Sequence, residues 1–324
     1  MKQLLIREEN YIEQMENLVE PYLLAREREL WPERESKKPI HCMNYQADAP
    51  VGIVMLCHGF TETAEKYKEI IYYFLKENYH VYMPEHCGHG KSYRLTEDKL
   101  LVHIDSYERY VKDFLYITHL AHAEHPELPI MLYGHSMGGG IGAVAAAREP
   151  GLFQKVVLSS PMIRPSTRGI PWHTAIAVTE FFCRTGRETR YILGQQPDAG
   201  KETFKESSAT SRVRFEYYQR KREEEPLYQM CTASYGWTRE AVRLNRELER
   251  NAFKNIKAPI LLFQAEKEHL VSKKEQRRFA AKLWKQSPGS VKVILVPDTK
   301  HEIFNAKDTI LERYWAKIFS FLEK

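Results

Sequence analysis

The stretch from Leu128 to Ala147, LPIMLYGHSMGGGIGAVAAA, constrains the fold more than any other part of the chain. Its apolar run at 130–133 reads as a buried strand. The run enters Gly134-His135-Ser136-Met137-Gly138, of the form G-x-S-x-G, and an alanine- and glycine-rich segment of helix-forming composition follows. Strand, sharp turn and helix, in that order, is the context in which a serine hydroxyl is presented as a nucleophile. A serine on so tight a turn sits in a strained backbone conformation, so its neighbours must be small. Gly134, Gly138, Gly139 and Gly140 supply that smallness. The free N–H groups and positive dipole end of the following helix would face the site, where negative charge develops.

The same alternation extends outward. Residues 51–57 form a buried strand ending in His58-Gly59-Phe60, and 63–77 a helix with Tyr67, Ile70, Ile71, Phe74 and Leu75 on its apolar face. A strand at 80–84 runs into a turn-rich loop at 85–92. A helix at 106–119 follows, and after the serine unit a strand at 155–159 stops at Pro161. Apolar strands without alternation, separated by helices, imply an α/β fold: a mostly parallel sheet covered by helices on both faces. From about 162 to 251 no strand pattern holds, and the segment is expected to be a helical cap inserted between two sheet strands. The rhythm resumes with a strand at 258–264, a helix from Ser272, a last strand at 291–296 and a closing amphipathic helix at 309–322. The core is therefore expected over 39–161 and 252–324. Residues 1–38, polar and punctuated by Pro21 and Pro32, are expected to be a helical segment outside the sheet, and 39–47 an edge strand.

Ser136 needs a base, and the base needs an orienting carboxylate. In this architecture they follow in the order acid, then histidine, at the carboxyl ends of the last two strands. After the strand at 258–264 come Glu266 and Glu268. Glu268 is the expected acid, because Leu270 and Val271 behind it would anchor the loop; Glu266 is the alternative. After the last strand comes His301, the expected general base, with Asp298 close in sequence but out of the usual order. Two backbone N–H donors complete such a site: Met137, directly after the serine, and Phe60, in the loop after the first buried strand. Such donors each lower the barrier by about 3 kcal/mol.

Other polar residues have plainer readings. His119, His122 and His125 lack the carboxylates or cysteines that would complete a metal site, and read as a surface helix. His86 and His89 would brace turns, and His135 would sit behind the site. The run 220–225 reads as a solvated helix face. Neither a metal nor a cofactor is expected.

Composition narrows the partners. A net charge of +5 on 324 residues suggests no nucleic-acid stripe. Five cysteines, Cys42, Cys57, Cys87, Cys183 and Cys231, with no C-x-x-C, fit a reducing compartment. The first residues hold only three consecutive apolar residues before charges intervene, too few for a signal peptide. No run approaches the roughly 18 apolar residues of a membrane span. A cytoplasmic protein is expected, with room for peripheral membrane contact through the cap. Nothing in the sequence chooses an oligomeric state.

Together, HGF at 58–60, PEHCGHGKS at 84–92, GHSMGG at 134–139, the Glu268 loop and KHEIFN at 300–305 resemble the serine-hydrolase family of monoacylglycerol lipases and bacterial lysophospholipases of the L2 type, also called serine aminopeptidase S33-like. The resemblance runs from about residue 40 to the end. In the cap, Phe215-Glu216-Tyr217-Tyr218, Glu225-Pro226 and Tyr235-Gly236-Trp237 are similar in order to the lysophospholipase branch, as is QAEKEHLVS. Glu268 stands where the monoacylglycerol lipases usually carry Asp, one methylene shorter. The resemblance implies an α/β-hydrolase that cleaves carboxylic esters of single-chain lipids. Trp172, Ile176, Val178, Phe181, Phe182, Tyr217, Tyr218 and Trp237 could line an acyl tunnel or form the cap's own small core. An aminopeptidase on the same machinery, with Glu180, Glu188 or Glu216 holding an ammonium group, and a catalytically silent binding protein remain the other readings.

Overall fold

The computed structural model describes residues 5–167, 169–195 and 202–323. Eight strands form one sheet: β1 (Glu27–Leu30), β2 (Cys42–Tyr45), β3 (Gly52–Cys57), β4 (Tyr79–Pro84), β5 (Ile130–His135), β6 (Lys155–Ser159), β7 (Ile260–Ala265) and β8 (Val291–Val296). Their spatial order is β1-β2-β4-β3-β5-β6-β7-β8. β1 and β2 pair antiparallel to their neighbours and the other strands run parallel. β3, β4, β5 and β7 are buried along their whole length, because helices cover both faces and no side needs to be polar.

One face is covered by α3 (Tyr107–Glu124), α4 (Met137–Arg148), α7 (Tyr235–Arg250) and α8 (Lys273–Gln286), whose Phe114, Ile141, Leu244 and Phe279 meet in one apolar cluster. The other carries α1 (residues 11–24), α2 (Lys68–Lys76) and α9 (Asp308–Glu323), which contribute Met15, Ile71 and Trp315 to a second. Between β6 and β7 the chain also forms α5 (Trp172–Arg184) and α6 (Arg212–Glu224). α2, which joins β3 to β4, and α3, which joins β4 to β5, lie on opposite faces, so the chain reverses its winding between β3 and β5. A crevice at the carboxyl ends of the strands opens at such a reversal.

Three expectations need correction. Residues 1–38 are not helical throughout: the helix ends at Leu24, and Glu27–Leu30 pairs antiparallel with Cys42–Tyr45 as the true edge strand. Its sequence, EREL, carries no apolar alternation, because its central side chains are exposed and pair with charges, Arg28 with Glu124 and Glu29 with Lys91, while Leu30 packs on the core. The strand expected at 39–47 is consequently an inner one, with all four residues buried. Pro21 does not end the helix either. A wide turn, Met15–Val19, precedes it, and proline occupies the start of the next helical turn, where its missing N–H costs little. In the third case, Thr232–Ala233 forms a short parallel pair with Leu101–Val102 in a region where no strand was expected.

The charged run 220–225 departs from a free solvated face as well. Arg220 pairs with Glu16 at 2.5 Å and Lys221 with Glu20 at 3.0 Å, so this end of α6 grips α1. Tyr217 turns the same way. It meets Tyr11 edge-on at 5.6 Å and donates its hydroxyl to Glu20.

Candidate active site

Ser136 sits between β5 and α4 at φ 52°, ψ −120°, the left-handed strain that a sharp strand-to-helix turn demands. The glycines around it are there for space. A Cβ on Gly138 would fall 2.0 Å from the Cys57 carbonyl oxygen, and one on Gly134 would fall 2.8 Å from the Gly138 oxygen. The elbow is therefore pressed directly against the end of β3, which brings His58-Gly59-Phe60 to the serine.

The structure brings Ser136, His301 and Glu268 into one line. His301 Nε2 lies 2.7 Å from Ser136 Oγ, and its Nδ1 lies 2.7 Å from Glu268 Oε2. The imidazole and carboxylate have 4% and 0% of their side-chain surface exposed. The other Glu268 oxygen accepts the Leu270 and Val271 N–H groups at 2.8 and 3.2 Å, which fixes its direction. Burial raises the Glu268 pKa, but the neighbouring His301 and these hydrogen bonds outweigh it and leave the carboxyl below its ordinary value. Glu266 points elsewhere, accepting the Asp298 N–H at 2.9 Å, while Asp298 pairs with Lys267 on the surface.

The Met137 N–H is the first of α4 and has no intrahelical acceptor. Among the described residues, no backbone acceptor takes up either it or the Phe60 N–H. Phe60 packs on Trp237 with ring centres 4.3 Å apart, which places α7 over the loop.

His135 packs its ring against His301, with centres 4.9 Å apart. Its Nδ1 meets the Ser159 carbonyl at 3.1 Å and its Nε2 stands 3.8 Å from Glu62. His86 and His89 brace their loop, His89 against the Cys87 carbonyl and His86 beside the Cys57 thiol. His119 bonds Glu149, and no cluster of three or more His, Cys, Asp or Glu suited to a metal occurs among the described residues. Of the carboxylates considered for an ammonium group, Glu216 is exposed and paired with Arg212. Glu180 lies 4.0 Å from Arg184.

Sequence reasoning missed a group of charges beneath the two loops. Glu62 accepts the Gly59 N–H at 2.7 Å and the Tyr67 hydroxyl at 2.6 Å. Lys66 stands between Glu62 and Glu302, and Tyr218 places its ring 5.2 Å from the ammonium. Burial would raise the Glu62 carboxyl, but the Lys66 charge holds it down to about 2. No local spacing signals a contact between positions so far apart. A separate open cleft of about 950 Å³ lies on the outer side of the His301 loop, lined by residues including Ile294, Lys300, Lys307 and Arg313 but not Ser136.

The chain is similar to known hydrolases over most of its length. A family described as serine aminopeptidase, S33, matches residues 48–308. A monoacylglycerol lipase of Mycolicibacterium smegmatis is 27% identical over 79% of this chain and 83% of its own. Lysophospholipase L2 of Escherichia coli is 24% identical over 82% of this chain and 80% of its own. Among solved structures, a soluble variant of monoglyceride lipase from Saccharomyces cerevisiae bound to a substrate analog superposes with a TM-score of 0.74 at 15% identity. The superposition covers 92% of this chain and 95% of that one.

Proposed function

The chain belongs to the serine aminopeptidase S33 family of hydrolases, and from that membership we propose that it is an esterase that removes the acyl chain of a single-chain lipid, using Ser136, His301 and Glu268. The observation that carries the reading is the unbroken pair of 2.7 Å contacts from Ser136 Oγ through His301 to Glu268.

In this reading Ser136 Oγ attacks the ester carbonyl carbon while His301 Nε2 takes its proton. The carbonyl oxygen becomes an oxyanion held by the Phe60 and Met137 N–H groups. Collapse expels the alcohol, to which His301 returns the proton, and leaves the acyl group on Ser136. Water, deprotonated by His301, then releases the carboxylic acid and restores the serine. Glu268 keeps Nδ1 protonated and stabilises the imidazolium. No step calls for a metal or a cofactor.

Within the insertion 162–251, α5 and the loops around it act as the cap, while α7 covers the sheet. A lipid substrate suits them: Trp172, Ile176 and Phe182 are half-buried, and Phe182 stacks on Tyr235 at 4.2 Å. Ile170, just before α5, and Val178 and Phe181 on it are 54%, 39% and 59% exposed, the kind of apolar surface that would touch a membrane. No helix among the described residues is long and apolar enough to cross one. Five free cysteines support a reducing, cytoplasmic location.

The names of the two curated relatives support a monoacylglycerol or a lysophospholipid as substrate. Lysophospholipase action is our first reading, and monoacylglycerol lipase or small-ester hydrolysis the second. A panel decides: a lysophosphatidylcholine, a monoacylglycerol, a short p-nitrophenyl ester and an aminoacyl-naphthylamide, each with wild type and Ser136→Ala. Turnover of a lipid ester that vanishes in the variant supports the reading. Hydrolysis of the amide alone, or activity retained by Ser136→Ala, overturns it.

A further inference from the structure

We propose that Lys66 is a positioning residue that locks the loop of Phe60 to the loop of His301 by bridging the carboxylates of Glu62 and Glu302. The inference rests on the esterase reading, since it concerns how the two halves of that site stay in register.

Lys66 Nζ lies 3.1 Å from Glu62 Oε1 and 2.5 Å from Glu302 Oε1. The three side chains are only 11%, 6% and 14% exposed, so water does little to screen them. Burial works against a charged Lys66, yet the two carboxylates overcome it and raise the ammonium above its ordinary value.

Each carboxylate in turn holds one loop. On the Phe60 side, the second oxygen of Glu62 takes the Gly59 N–H, which sets the plane of the peptide one residue before Phe60. The fit there is close. A Cβ on Gly59 would lie 2.6 Å from Glu62 Oε2 and 3.1 Å from Ser136 Cβ, so this backbone is pressed between the carboxylate and the serine. Thr61, just beyond, holds φ at 58°, a left-handed conformation that its surroundings must enforce. On the His301 side, Glu302 is the next residue in the chain. Its second oxygen accepts Asn305 Nδ2 at 2.8 Å, and its N–H donates to the Ser208 carbonyl at 3.0 Å.

Lys66 is therefore the link between a loop that follows β3 and a loop that follows β8, at opposite ends of the chain. Without its charge, two nearly dry carboxylates would face each other. One would have to take a proton or swing toward water. The parts free to move in response are the loops, since β3 and α2 on one side and β8 and α9 on the other are anchored in the core. The serine would stay on its elbow, while the Phe60 N–H and the imidazole drifted from it. A misplacement of about 1 Å at a reacting centre costs on the order of a hundred-fold in rate.

The test compares wild type, Lys66→Met, Lys66→Arg and Glu302→Gln as full-length proteins. It reads kcat and KM on p-nitrophenyl butyrate, the rate of labelling by a fluorophosphonate, and the thermal unfolding midpoint. The expected result is a fall in kcat and labelling rate for Lys66→Met of roughly ten-fold to a hundred-fold, and substantial recovery in Lys66→Arg. Wild-type kcat in Lys66→Met overturns the proposal. So does a loss in kcat that Lys66→Arg does not recover. If Lys66→Met does not fold, Glu302→Gln carries the test, because the amide keeps the size and one acceptor but loses the charge. A folded Glu302→Gln with wild-type kcat and labelling overturns the proposal equally. A wild-type protein that neither turns over esters nor reacts with the fluorophosphonate would instead sink the esterase reading itself.

Discussion

Nε and Nη2 of Arg214 each reach the carboxylate of Glu69 at 3.0 Å, joining α6 to α2 across 145 residues of chain. The arginine side chain has no exposed surface. Its Nη1 bonds Asp308 at 3.0 Å and its Nη2 also donates to the Ile6 carbonyl at 2.7 Å, so a single guanidinium gathers α6, α2, α9 and the N-terminal segment. Arg214→Ala would leave the buried Glu69 charge without its counter-ion. Removing one partner of a buried pair costs about 3–5 kcal/mol, and the lower end is expected because the Tyr11 and Tyr73 hydroxyls still donate to Glu69. The urea midpoint of unfolding measures it. An unchanged midpoint would show that these elements hold together without the arginine.

That junction also marks where sequence reading stops. Ser136 and His301 were legible because each lies at the end of an apolar strand, where chain order alone assigns the role. Glu268 was legible only as one of two glutamates; what separates it from Glu266 is the direction set by the Leu270 and Val271 amides, a property of the folded loop. Arg214 was not legible at all. It sits in RVRFEYYQRKREE, a segment crowded with charges of both signs, and nothing local distinguishes the one arginine that turns inward from those left on the surface. The edge strand 27–30 failed for the related reason that its side chains carry no apolar period, and its ion pairs, such as Glu29 with Lys91, join residues far apart in the chain.

The two glutamates give a direct contrast. Glu268→Gln keeps the shape but offers His301 Nδ1 an amide, which can hold the wrong tautomer. By analogy with triads that lose their acid in this way, kcat is expected to fall by roughly 10⁴-fold with little change in stability. Glu266→Gln, at the surface beside Asp298, is expected to stay near wild type. Steady-state kinetics of the two variants checks the assignment, and a reversed pattern would move the acid to Glu266.

The elbow glycines make a steric prediction. Gly138→Ala would drive a methyl group to 2.0 Å from the Cys57 carbonyl oxygen, against strand backbone that cannot step aside. Gly142→Ala, on the same helix, would meet Leu132 Cδ2 at 2.9 Å, the far end of a side chain that can change rotamer. Gly138→Ala is expected to lose both activity and soluble yield, and Gly142→Ala to keep activity with a modest drop in melting temperature. Equal behaviour would mean that β3 yields more readily than its packing indicates.

Acid sensitivity follows from the buried imidazoles: burial lowers His58, His80, His86 and His103, and His89 and His135 follow the same pattern. Burial lowers His89 to about 3, with the nearby His58 adding to the effect. Burial likewise lowers His135 to about 4, against the pull of Glu62 in the other direction. Both residues are neutral when folded, whereas in the unfolded chain they take up protons as the pH drops below about 6.5. The unfolded state then binds more protons, so stability falls as pH falls, beginning near 6.5 and levelling off for His135 near 4. Each such group contributes a slope of about 1.4 kcal/mol per pH unit in that window. Two carboxylates extend the loss. Burial raises Glu85 and Glu62, but His41 and Lys66 outweigh it and hold each down to about 2, so their stabilisation is present above about 4.5 and lost between there and 2. Urea titrations from pH 7.5 to 4 should therefore show a falling midpoint well before any carboxylate protonates. His89→Gln, which removes one of these imidazoles, should make that decline shallower by about one proton's worth of slope. A midpoint that stays flat down to pH 5 would mean that His89 and His135 are already charged in the folded protein.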